Sequence, residues 1–253
     1  MAEPAPKKEI VGAYELPEGW VWAALSEIYK PKITKDPKKN GPGRFIYLDI
    51  EAIDNEIQTI VKPRRLNNKK APSRAKRLVN SGDVIISLVR PYLKNIALIP
   101  EDLDSSIVST AFYPLKPENS IDSHYLFHAV CRQSFIDSIV TYGDSPPSAR
   151  DNEFIKIQIP LPPLPEQHEI VRRVETLFHS ADDAEQRVAA ATTHANRLTQ
   201  SILAKAFRGE LVPQDPGDEP ASVLLERIRK ERAELKEMNK SRKRRSKTPS
   251  DFN

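Results

Sequence analysis

The stretch Val61 to Arg77 reads VKPRRLNNKKAPSRAKR. It carries Lys62, Arg64, Arg65, Lys69, Lys70, Arg74, Lys76 and Arg77 and no acidic residue. Cations at this density suit phosphates, because release of condensed counterions drives such binding. Lys30, Lys32, Lys35, Lys38 and Lys39 add to the cluster from upstream. Within it, Asn67 and Asn68 are candidates for base reading, since an Asn side chain can pair bidentately with adenine. Two smaller groups follow. SLVRPYLKN places Arg90, Tyr92 and Lys94 just past an apolar run, where Arg90 suits guanine or phosphate. TYGDSPPSARDN offers Tyr142, Ser145, Ser148 and Arg150, hydroxyls and a guanidinium fit for phosphate or base contacts. A solvated loop or an ordinary strand-end turn would also account for each group.

Catalytic chemistry finds less support. Gly41 to Gly43 reads GPG without the third glycine of a dinucleotide loop, and there is no P-loop. The Asn-Pro-Pro-aromatic tetrapeptide of amino-methyltransferases is absent. Asp83 and Glu153 with Lys156 do not have convincing nuclease spacing. His124 and His128 stand four apart on an expected helix, a metal-ligand spacing without a third ligand, so they read as surface or core histidines. The single Cys131 excludes an internal disulfide and a cysteine-based zinc site, and it fits a reducing cytoplasm. No catalytic set, metal or cofactor is assigned to this chain.

These residues need a scaffold, and the pattern predicts one in two parts. Residues 1–13 lack an apolar signal segment and read as a flexible leader. Residues 14–163 form a mixed α/β domain. WVW and a helical turn near Leu25 open it, and RFIYLDIEAID and EIQTIV read as strands. The basic stretch is a connection, and VIISLV (Val84 to Val89) is a central strand. KNIALIP and SSIVSTAFYPLKP continue the sheet. A helix capped by Asp122 or Ser123 covers it, and EFIKIQIPL is a last strand. Four prolines then crowd IPLPPLPEQHEIV.

Beyond them, Glu166 to Arg208 contain neither Pro nor Gly. Ile170, Val174, Leu177, Ala181, Ala184, Val188, Ala191, Ala195, Leu198 and Ile202 follow in alternating steps of four and three. That is a heptad seam, on a helix of roughly 60 Å. So long a helix needs a partner for its seam. Large residues lie at the ends and alanines in the middle, so a second copy running antiparallel, centred near Gln186, would match sizes. Gly209 is a C-terminal stop. The long helix is assigned 164–209, a loop and short helix 210–238, and a basic disordered tail 239–253. Net charge is +4 over 253 residues, so charge distribution matters more than the total. No apolar run is long enough for a membrane span.

The chain resembles the specificity subunits of type I restriction–modification enzymes. The resemblance is carried by LPEGWVWAALSEI, SGDVIISLVRPYLKNIALIP, STAFYPLKP, IPLPPLPEQHEIVRRVETLF and ILAKAFRGELVPQDP, in the family's order. It implies a target recognition domain that reads part of a split DNA site, followed by a spacer helix. It implies a non-catalytic subunit that positions modification methyltransferase subunits, whose cofactor is S-adenosylmethionine, with restriction subunits joining to cut DNA. Family members usually carry two recognition domains and two such helices, whereas one of each is visible here. A homodimer or pairing with another specificity subunit would replace the internal repeat. The family's base-contacting residues vary with target and transfer no residue to this sequence.

Overall fold

The computed structural model describes the backbone of residues 14–245 and the side chains of 14–240. The leader at 1–13 and the tail beyond 245 lie outside the described residues. The chain divides into two compact units, Met1–Asp182 and Asp183–Asn253.

The fold of the first unit is α+β. Val84–Ser87 lies inside a four-stranded sheet ordered Ile96–Leu98, Val84–Ser87, Phe112–Pro117, Tyr29–Lys30, with antiparallel neighbours. Its side chains serve two cores. Val84 and Ile86 join one, and Ile85 joins the other. Burial on both faces explains why this strand is apolar without alternation. A five-stranded sheet runs Ile33–Thr34, Ala75–Val79, Ser106–Ser109, Arg44–Leu48, Arg64–Asn67, in which only Ser106–Ser109 and Arg44–Leu48 are parallel. Val21–Ala24 pairs antiparallel with Gln158–Leu161. The helix Ser123–Cys131 closes one face, placing Tyr125, Leu126, Ala129 and Val130 in the larger core. Asp122 is its N-cap, accepting from Tyr125 N at 2.8 Å.

Several local readings change. RFIYLDIEAID is the strand Arg44–Leu48 and the short strand Ile53–Asp54 around the turn Ile50–Ala52, and of EIQTIV only Thr59–Ile60 is a strand. The basic stretch is not a connection, since it supplies the strands Arg64–Asn67 and Ala75–Val79. The reason is the apolar residues spaced among its cations: Leu66, Ala71, Ala75 and Leu78 pack with Phe45, Tyr47 and Ile107. EFIKIQIPL is not one strand. Asp151–Phe154 is a helical turn, and the strand is Gln158–Leu161. Asp151 and Glu153 favour the start of a helical turn. The turn carries Phe154 into the core against the rings of Tyr113 and Phe135, at 5.2 and 6.1 Å.

A single helix of 44 residues, Leu164–Phe207, follows the prolines. Pro165 sits in its first turn, where a missing N–H costs nothing. Gly209, at φ +74°, ends it. Its N–H reaches Ala206 O at 3.1 Å, and that of Glu210 reaches Lys205 O at 2.9 Å, which satisfies the terminal carbonyls. A further helix spans Ala221–Arg245. It enters the segment assigned to a disordered tail from 239, because Lys and Arg are good helix formers even without an apolar face to bury.

Candidate nucleic-acid interface

Two distant segments assemble the first basic patch. Asn67 caps the one-turn helix Asn68–Lys70, its Oδ1 accepting from Lys69 N at 3.0 Å. Asn68 is 7% exposed and donates through Nδ2 to Gly41 O at 3.0 Å. Its own N–H donates to Gly43 O at 2.9 Å. A Cβ on Gly43 would lie 3.1 Å from Asn68 Nδ2, so the missing side chain makes the approach possible. Asn68 therefore ties down the glycine loop and is not available to read a base. The tie sets the short turn Pro37–Lys39 beside Asn68–Lys70. Lys38, Lys39, Lys69 and Lys70 all stay exposed. Arg44, opposite Asn67 across the strand pair, is exposed as well.

The other cations of the stretch divide. Arg65 and Arg74 are exposed. Arg64 keeps about half its side chain in solvent while pairing with Asp49 at 3.1 Å, above the Tyr47 ring. Lys76 and Arg77 are structural. Lys76 pairs with Asp36, and the lysine holds that carboxyl below its usual pKa. Arg77 donates to Phe112 O and to Asp151, with 14% of its side chain exposed. Both lie on an interior strand, where a cation must be compensated.

The second patch joins the two smaller groups. Arg90 and Lys94 flank the turn Pro91–Leu93 with φ of +50° and +52°, a left-handed conformation that non-glycine residues adopt only when held. Arg90 N donates to Pro147 O at 2.9 Å, and Asn55 Nδ2 donates to Leu93 O at 2.7 Å. Ala149 N donates to Leu88 O at 2.8 Å, and Val89 bridges Ser148. Tyr92 is left 58% exposed. Arg150 stacks on the Tyr142 ring at 4.0 Å. The Tyr142 hydroxyl donates to Glu153 at 2.7 Å, and that carboxylate raises the hydroxyl's pKa. Tyr142 thus acts as a platform for Arg150 rather than as a free hydroxyl. Ser145 is exposed and Ser148 half-buried. Backbone bonds link the patches: Thr110 N reaches Arg74 O at 2.9 Å, and Leu88 N reaches Ala111 O at 3.0 Å.

No sequence pattern singles out Arg44, and Lys38 and Lys39 reach the patch through space rather than only along the chain. The KKNGPGR run was the available signal, a glycine turn flanked by cations. His124 pairs with Glu175 at 3.0 Å. His128 packs between the rings of Phe127 and Phe178, with a buried Nε2 that has no hydrogen-bond partner among the described residues. Asp83 pairs with Lys116 at 2.8 Å. Burial pushes the Cys131 thiol up to about 12, which leaves it unreactive. No group of three metal-binding side chains occurs among the described residues. None of their helices is long and apolar enough to cross a membrane.

The seam also divides. Ile170 is half-buried and packs onto the first unit's core beside buried Val171, which leaves only part of its side chain for a partner helix. The proline exit leads the helix onto its own domain for its first turns, and this covers part of the seam's end. Val174 is half-buried. Ala181, Ala184, Ala191 and Ala195 are exposed. Leu177, Val188, Leu198 and Ile202 are 68, 66, 54 and 45% exposed.

Residues 17–191 match the family described as type I restriction modification DNA specificity domain. The chain is 42% identical over 169 residues to the type I restriction enzyme EcoDI specificity subunit of Escherichia coli, covering 63% of this chain and 37% of that protein. It is 32% identical over 237 residues to the EcoBI specificity subunit of Escherichia coli, covering 86% and 49%. Among solved structures, the HsdS subunit from Thermoanaerobacter tengcongensis superposes with a TM-score of 0.73 at 40% identity, over 83% of this chain and 53% of that one. A chain from a study of complex assembly and conformational transition of the type I R-M system gives 0.68 at 40% identity, over 82% and 53%. The chain spans about half the length of these relatives, or less.

Proposed function

This chain belongs to the type I restriction modification DNA specificity family, and we propose that it reads one half of a bipartite DNA site and dimerises through its long helix. In this reading the two patches meet double-stranded DNA. Lys69, Lys70, Lys38, Lys39, Arg44, Arg65 and Arg74 engage phosphates, and the Arg90–Lys94 turn with Arg150 approaches base edges. The chain itself contributes no catalytic group. It positions modification methyltransferase subunits, which bring S-adenosylmethionine, and restriction subunits where these are present. The site of action is the cytoplasm, where such complexes meet DNA.

The carrying observation is the uncovered seam. From Leu177 to Ile202 the heptad residues are exposed, and no described element of the chain covers them. A row of apolar side chains at heptad spacing is stable in water only against another helix. A second copy fits by size, because Val174 and Leu177 at one end of the free seam and Leu198 and Ile202 at the other flank a middle of alanines around Val188. A symmetric dimer would read two inverted half-sites. The test is light scattering of the purified chain together with a map of methylated sites in host DNA with and without its gene. A dimer and a gapped palindromic motif support the reading, and a monomer with no dependent methylation sinks it.

The same seam supports a second reading, in which the chain pairs with another specificity subunit and changes target choice. Co-expression with such a subunit separates the two. A mixed complex that methylates a non-palindromic motif favours the second.

A further inference from the structure

Gln167 lies in the first turn of the long helix and is 1% exposed. Both ends of its amide are used. Oε1 accepts from Asp122 N at 2.8 Å, and Nε2 donates to Pro162 O at 2.9 Å. The first bond grips the cap of the helix Ser123–Cys131, and the second grips the proline exit. The neighbouring contacts converge on the same joint. Asp122 caps Tyr125 N, the Tyr125 hydroxyl donates to Pro160 O at 2.6 Å, and His168 Nε2 lies 3.6 Å from the Asp122 carboxylate. Further along, Glu175 meets His124 at 3.0 Å.

Apolar packing of Ile170 and Val171 holds the helix to the domain, but such packing is non-directional and tolerates small rotations. The prolines restrict the backbone before the helix, not the rotation of the helix about its own axis. A buried amide with both polar atoms paired is different. Turning or tilting the helix breaks two bonds at once and leaves buried polar atoms unsatisfied. We propose that Gln167 is a positioning residue that sets the direction in which the long helix leaves the recognition domain, and so selects the gap between DNA half-sites. The inference rests on the DNA-reading dimer proposed above.

The experiment uses the full chain and a randomised duplex DNA library, with bound molecules sequenced and thermal melting recorded in parallel. Wild type selects two half-sites at one gap. Gln167→Met, close in shape but without hydrogen bonds, selects the same half-site bases while the advantage of the preferred gap over its neighbours falls about tenfold. Gln167→Glu keeps the acceptor for Asp122 N and loses the donor to Pro162 O, and it falls between. A variant that melts cooperatively and keeps the wild-type gap preference overturns the inference while leaving the DNA reading intact. Should Gln167→Met fail to fold, Gln167→Glu decides by the same criterion. Loss of cooperative melting in both makes Gln167 a fold determinant and also overturns the inference. Wild-type protein that selects no bipartite site overturns the underlying reading itself.

Discussion

The recognition domain and the later part of the long helix treat apolar residues in opposite ways. In the domain, Leu48, Val84, Ile96, Leu115 and Leu126 are 0% exposed. Along the helix, Leu177 and Val188 are 68 and 66% exposed. Both sets are regular in sequence, with strands and amphipathic helix turns in one and heptads in the other. The difference is where the complementary surface comes from. Strands and helices brought together by the fold close the domain's core. A straight helix cannot fold onto its own seam, so its complement must come from outside it. Stability in the domain is therefore internal, while in the seam it depends on concentration and partner.

This contrast can be broken by mutation. The largest effect is expected in the core. Phe154→Ala removes a ring that is 1% exposed and packed against Tyr113 and Phe135, and costs about 3–5 kcal/mol. Thermal melting checks it, and a loss under 1 kcal/mol, on the order of a surface substitution, would contradict the core assignment. In the seam, Ala184→Glu with Val188→Glu turns the proposed dimer into a monomer by light scattering yet leaves the domain's melting within about 0.5 kcal/mol of wild type. A double variant that stays dimeric refutes the seam.

The next effect separates the cations proposed to meet DNA from those that hold the fold. Lys69→Ala with Lys70→Ala leaves stability unchanged and lowers the slope of log affinity against log salt by about 0.9 for each phosphate no longer neutralised. Arg77→Ala should instead lower the melting temperature, because Phe112 O loses its donor and Asp151 one of its two cations, keeping Lys32. Equal behaviour of the two variants would erase the distinction.

The smallest effect concerns pH. Burial lowers the pKa of His128 from its ordinary 6.5, opposed by Glu175 and Asp122, with His124 adding to the lowering. The folded domain keeps this ring neutral to lower pH than the unfolded chain, which takes up a proton below about 6.5. Stability from this site is thus present above the unfolded pKa and lost as pH falls toward the folded one. His128→Gln should flatten the melting profile as pH falls through about 6.5. An unchanged profile would assign that dependence elsewhere.

Legibility in the sequence followed how local each cause is. The central strand, the Asp122 cap, the long helix and the Gly209 stop were readable, because each depends on neighbours a few residues away. The split of EFIKIQIPL into a turn and a strand was not. Its alternation fits a strand, and only the space between Tyr113 and Phe135 asks Phe154 for a turn. The basic stretch was legible as charge and not as structure. Its strands depend on Phe45, Tyr47 and Ile107, which lie elsewhere in the chain.

By itself the sequence determined the heptad seam and the density of cations, because spacing and charge are properties of the chain before it folds. The tertiary structure decided which of those residues remain free. Asn68 is consumed by Gly41, Arg77 by Phe112 and Asp151, and Ile170 in part by the domain core, while Lys38 and Lys39 are brought beside Lys69 and Lys70. A side chain's availability is set by burial and by partners from distant segments, and a linear pattern does not contain those.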